Sequence, residues 1–195
     1  MAKAPYEVSS AQLAALTAPA RHDILDRLTA QGPMGASEIA AALGRQPTAI
    51  YHHLRQLEAV GLIEAVQRPG APAEPGRPGL LYKAVDRVLV ATEASRDPAN
   101  RKVLARIAHA AAAQTARDFE IGLSSGARVM SGAARNHTFF RAVVAPSPER
   151  LARINALLEE LEALALAPEP NPGPLMSLAW IAAPLDRAPR KPRKA

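Results

Sequence analysis

The 195-residue chain predicts a mostly helical α+β protein: an N-terminal winged helix-turn-helix, a long dimerisation helix and a C-terminal strand–helix–strand unit. Three observations carry this expectation. Residues 35–61 read as two short helices around a tight turn. After Gly61 the apolar period changes from helical to alternating, crosses a Pro/Gly-rich stretch and alternates again. Asp97-Pro98 then opens an uninterrupted helical pattern.

The first helices follow from caps and stripes. Ser9 or Ser10 caps a helix through Leu13 and Leu16, and Pro19 opens a second bearing Ile24, Leu25 and Leu28, ended by Gly32-Pro33. Gly35 starts a third, with Glu38 in the positive end of its dipole and Ile39, Ala40 and Leu43 as a narrow apolar stripe. Gly44 suits the left-handed turn that ends it. Gln46 and Pro47 restart the chain, Ile50, Leu54, Leu57 and Val60 form the next buried stripe, and Gly61 stops it.

The other face of that fourth helix carries Thr48, Ala49, Tyr51, His52 and Arg55. Forked and short polar groups beside a small apolar one are what base edges and a thymine methyl require in the major groove. Taken alone, such a face is an ordinary solvated one. The preceding helix, the turn and the hairpin that follows favour DNA. His53 lies beside the apolar stripe and reads as a satisfied structural histidine.

Leu62 to Val66 and Leu80 to Val85 read as the strands of a hairpin, with 68–79 as its long tip, a wing. Arg68 and Arg77 are placed to reach phosphate or the minor groove; loop solubility explains either one equally well. Arg45, Arg55 and Lys83 are expected to face DNA with them, and Glu7, Asp23 and Asp26 to face away.

Leu16-Thr17-Ala18-Pro19-Ala20-Arg21-His22-Asp23-Ile24-Leu25 resembles the opening of arsenic-repressor-like (ArsR-type) winged-helix regulators. Ser37 to Gly44 and Ile50-Tyr51-His52-His53-Leu54-Arg55-Gln56-Leu57-Glu58-Ala59-Val60-Gly61-Leu62-Ile63 resemble the same family. The likeness covers about the first half of the chain. It implies a dimer on a double-stranded DNA operator, usually as a repressor, and carries DNA contact onto Gln46, Thr48, Ala49, Tyr51, His52 and Arg55. Many such regulators sense metals through cysteines or Asp/His pairs. This chain has no cysteine, so thiol redox switching is excluded, and His109 and Asp118 are nine residues apart, too far to be ligands on adjacent turns. No metal site and no cofactor are expected.

Beyond the wing, Val103, Leu104, Ile107, Ala108, Ala111, Ala112, Thr115 and Phe119 mark a helix over 98–119 whose alanine-rich face admits a close second helix. It is expected to build a two-fold interface, since paired recognition helices must lie ~34 Å apart to meet successive major grooves. Residues 121–137 read as a connector, 138–144 as a strand, 147–164 as an amphipathic helix and 175–183 as a returning strand. Phe139, Phe140, Met176 and Trp180 offer a pocket for a small apolar effector; plain core is the favoured reading of such residues. The expected divisions are 1–86, 87–137, 138–186 and a basic tail at 187–195.

Charge sharpens the functional reading. The net +6 is not spread evenly: residues 1–86 hold eight basic and eight acidic side chains, while 187–195 hold five basic and no acidic ones. DNA affinity must then come from placement, with the tail reading as a solubilising end ahead of a nonspecific phosphate grip. No apolar run spans a bilayer and no export signal opens the chain, so a cytoplasmic, nucleoid-associated protein is expected. No phosphate loop, zinc-protease motif or serine elbow is present, and a non-enzymatic role is expected. The leading reading is a homodimeric repressor released by an effector. The alternatives are an architectural DNA-coating protein and a winged-helix module for protein association.

Overall fold

The computed structural model describes residues 6–68, 79–85, 89–167, 169 and 173–185. Its N-terminal body is built from four helices, α1 (Ser10–Ala15), α2 (Pro19–Gln31), α3 (Ala36–Ala42) and α4 (Pro47–Ala59). A short strand β1 (Tyr6–Glu7) precedes them and a hairpin follows, β2 (Ile63–Gln67) with β3 (Leu80–Ala84). The caps follow local chemistry. Ser9, not Ser10, opens α1 through a capping box: its hydroxyl accepts from the Gln12 amide at 3.2 Å while Gln12 Oε1 accepts from the Ser9 amide at 2.9 Å. Pro19 and Pro47 sit in the first turns of α2 and α4, where a missing amide hydrogen costs nothing.

Of the three glycines expected to stop helices, Gly44 and Gly61 do so in the left-handed region, at φ +61° and +70°. Each closes a Schellman motif. Arg45 N donates to Ala40 O at 2.8 Å and Gly44 N to Ala41 O at 3.1 Å; Leu62 N donates to Leu57 O at 2.9 Å and Gly61 N to Glu58 O at 3.0 Å. The first motif sets the turn between α3 and α4, and the second aims the chain into the hairpin.

Ile24, Ile39, Ile50, Leu54, Leu57 and Leu62 are fully buried together, and Leu28, Ile63 and Tyr82 seal the same core. Each large aliphatic side chain buried this way contributes about 1.5–3 kcal/mol. The hairpin register pairs Ile63 with Ala84 and Ala65 with Tyr82. Met34, in the α2–α3 link, adds a third rung: its amide donates to Tyr82 O at 3.0 Å and Tyr82 N returns at 2.8 Å to Met34 O. The sequence reading missed this rung and the parallel pairing of β1 with β4 (Leu89–Val90), because both depend on which distant segments meet.

Past a single 3₁₀ turn at Ala94–Arg96, Asp97 caps α5 (Pro98–Leu123), accepting from the Ala99 amide at 2.8 Å. The helix runs four residues beyond the expected Phe119 and spans ~39 Å. Asn100 Nδ2 donates to Ser10 Oγ at 2.9 Å, and Ile107 packs on the core, so α5 is anchored to the body by its first half. At the far end Gly122 admits the His137 ring, which stacks on Phe119 with centroids 4.1 Å apart; a Cβ at 122 would sit 2.9 Å from His137 Nδ1.

The C-terminal unit differs from expectation. The helix forms as α6 (Pro148–Ala165), capped by Ser147. Residues 138–144 and 175–183 are not strands in the single chain. A strand needs a neighbour for its amides and carbonyls, and none lies beside either segment among the described residues. Phe139, Phe140, Met176 and Trp180, read as a pocket or core, are exposed by 76%, 87%, 56% and 37%.

Candidate nucleic-acid interface

Position along α4 decides which side chains enter the site. Ile50, Leu54 and Leu57 are 0% exposed and fix the inner face. Thr48, His52 and Arg55 fall on the opposite side at helical spacing and are exposed, with Ala49 and Tyr51 flanking them. Arg45 and Gln46, at the start of the helix, are exposed as well. The expected recognition residues therefore share one outward face. Arg55 is steadied on it by its own helix, Nε donating to Tyr51 O at 3.4 Å.

The structure adds residues to this face. Gly35, Ser37 and Glu38 at the start of α3 join Tyr51, Arg68 and Tyr82 around an open groove of about 420 Å³ between the helices and the wing base. Arg21, from α2, donates to Gln56 Oε1 of α4 and to Ala15 O. Neither Ser37 nor Arg21 carries a local signal; only the crossing of α2 and α3 against α4 brings them near.

Electrostatics depart further from expectation. Arg45 is paired with Asp23 at 3.5 Å, so Asp23 does not face away from the site. Arg68 is paired with Glu38 at 2.7 Å, and Lys83 with Glu64, directly across the hairpin, at 2.5 Å. Glu38 also accepts from the Gly35 amide at 2.6 Å. The Arg68 hydrogen bond, and then the Gly35 amide, hold its carboxyl below the usual range. Of Arg45, Arg55, Arg68 and Lys83, the cations expected to face DNA that lie among the described residues, only Arg55 keeps no acid partner there. Glu7 does point elsewhere, accepting from the Glu93 and Ala94 amides at 2.8 and 3.2 Å. Burial pushes the Asp26 carboxyl up, against the pull of His22. Arg77, most of the wing tip and the basic tail lie outside the described residues.

His53 is structural, but not satisfied as expected. It is half-buried, and its Nδ1 has no hydrogen-bond partner among the described residues. Burial, then the neighbouring Arg21, His52 and Arg45, hold the ring toward its neutral form.

No group of three or more His, Cys, Asp or Glu side chains able to hold a metal occurs among the described residues, and no helix there is long and apolar enough to cross a membrane. No curated protein matches the chain. Solved structures similar to the chain include two of low identity. One is the transcriptional regulator Tm0710 from Thermotoga maritima, 16% identical, covering 76% of this chain and 75% of that one with a TM-score of 0.31. The other is RV1404 from Mycobacterium tuberculosis, 18% identical, covering 83% and 86%, with a TM-score of 0.30. Residues 16–66 match the family model described as "Helix-turn-helix domain", the segment in which α2 to α4 and the first strand of the hairpin build the outward face.

Proposed function

We propose that the chain is a sequence-specific, DNA-binding transcriptional regulator of the arsenic-repressor-like type, acting as a homodimeric repressor without catalytic activity. The observation that carries this reading is the division of α4. One face is sunk in the core at Ile50, Leu54 and Leu57, and the other presents Thr48, His52 and Arg55 to solvent. A helix held rigidly by one side and polar on the other is what a major groove admits. Tyr51 and the wing base at Arg68 flank it, at the place where backbone phosphates rise beside a docked helix. Two copies, set apart by α5, would read two half-sites, and occupancy would block a promoter.

The acid pairs give the reading a further property. On binding, Arg45 and Arg68 exchange Asp23 and Glu38 for phosphate. Nonspecific affinity is then lower than their number suggests, and more of the discrimination falls to base contacts.

Selection of bound sites from random oligonucleotides tests the proposal. A two-fold-related pair of half-sites, centred about one helical turn or a multiple apart, is expected. Uniform enrichment would point to DNA coating instead, and no enrichment to a protein-association module.

A further inference from the structure

The second half of the chain shows apolar surface that no described residue covers. None of the 18 residues of α6 is buried, and Leu151, Leu157, Leu161 and Leu164 are all exposed. Beyond the helix, Phe139, Phe140, Val143, Leu175, Met176 and Ile181 are each more than half exposed, where large apolar side chains are ordinarily buried. Monomers rarely leave apolar patches above a few hundred Å² in water. In proteins most of a helix's stability comes from packing its amphipathic face.

A matching vacancy lies on α5. Ala105, Ala108, Ala112 and Ala116 are exposed at helical spacing, a strip of short side chains with room for another helix. Charge gives the direction. Along α5 the net charge runs from basic to acidic: Arg101, Lys102 and Arg106 near the start, and Asp118 and Glu120 outweighing Arg117 near the end. Along α6 the net charge also runs from basic to acidic: Arg150 and Arg153 outweigh Glu149 at the start, and Glu159, Glu160 and Glu162 stand at the end. Two helices with the same order of charge complement each other when they run antiparallel. Within one chain the match is not made: α6 stays exposed, and the arm leaves the end of α5 at the His137–Phe119 stack.

We propose that α6 of each copy lies antiparallel across α5 of a second copy, so that two chains exchange their C-terminal arms and share one helical core. This deepens the homodimer reading above and rests on it. The two-fold operation satisfies both vacancies at once, since each chain offers the same donor and the same acceptor surface. It also gives 138–144 and 175–183 a neighbouring chain to pair with. The dimer is then held by arms reaching across the two-fold axis as well as by contact between the α5 helices.

Full-length charge-swapped chains test this by sedimentation equilibrium. One variant carries Glu159→Lys, Glu160→Lys and Glu162→Lys; the other carries Arg101→Glu, Lys102→Glu and Arg106→Glu. Each alone sets like charges against like and is expected to weaken self-association by roughly tenfold or more. Mixed, each α6 meets an oppositely charged α5 on the other chain, and a heterodimer of near-native affinity is expected. Wild-type self-association by both single variants, or a mixture without heterodimer, overturns the arm exchange and leaves a dimer built on α5 standing. A wild-type chain that stays monomeric sinks the dimer reading itself. All six positions lie outside the buried core, so an unchanged thermal transition of the N-terminal body verifies folding.

Discussion

Helices α4 and α6 look alike as sequence and behave oppositely as structure. Each begins with proline in its first turn and carries a leucine-rich stripe at helical spacing. α4 sinks its stripe completely, with Ile50, Leu54 and Leu57 closed in by α2, α3 and the hairpin. α6, five residues longer, buries nothing. What differs is the company within reach. α4 has two helices immediately before it and a hairpin immediately after it, whereas the described residues on either side of α6 form neither helix nor strand. An amphipathic stripe says that a face must be covered, and neighbouring sequence says whether the same chain does the covering.

The largest effect that separates the two helices is on stability. Leu54→Ala should lower the stability of the body by about 2–5 kcal/mol in urea unfolding, because the surrounding core cannot collapse onto the space. Leu164→Ala in α6 should leave that transition within ~0.5 kcal/mol while weakening self-association. Equal losses in the two variants would mean that α6 is part of the same cooperative core.

On DNA, the outward face of α4 is the sensitive one. His52→Ala or Arg55→Ala should each weaken the preferred site by ~1–3 kcal/mol and leave random DNA nearly unaffected. A loss of the same size on random sequence would reduce these residues to phosphate grips. A smaller change in the opposite direction is expected from Glu38→Gln. It frees Arg68 for phosphate and should tighten binding by under ~1 kcal/mol at low salt, with little change at high salt.

The weakest expected signal is a pH dependence. Folding holds the His53 ring below its unfolded pKa, so its contribution to stability is present above that value. It is lost as pH falls from about 6.5 through the folded pKa. Asp26 acts with the opposite sign: its folded pKa is raised, so its contribution is present at low pH and fades as pH rises. The difference between wild type and His53→Gln isolates the histidine. The variant should lose less stability than wild type between pH 7.5 and pH 5.5. Parallel pH curves would show that His53 titrates alike in both states.

Local chemistry made much of the body legible. Ser9, Gly44, Gly61 and Asp97 act through bonds to residues within five positions, and Pro47 through its own ring, so their roles can be read from spacing alone. The same holds for the outward set on α4, which follows from the position of the inward one. The pairing of Arg45 with Asp23 and of Arg68 with Glu38 was not legible, since those partners are 22 and 30 residues apart and meet only because helices cross. The strands expected at 138–144 and 175–183 failed for a related reason. Alternation marks a segment suited to a sheet, but the hydrogen bonds of a strand belong to a second segment that the pattern does not name.

The amino-acid order by itself determined the helices, their stops, the hairpin and the chemistry of the face that α4 turns outward, because each depends on contacts a few residues long. Tertiary structure alone decided which cations carry an acid partner, which histidine nitrogen is left unpaired and which apolar stripe finds cover. Those outcomes depend on distances between segments far apart along the chain, set by packing of the whole and written in no short stretch of it.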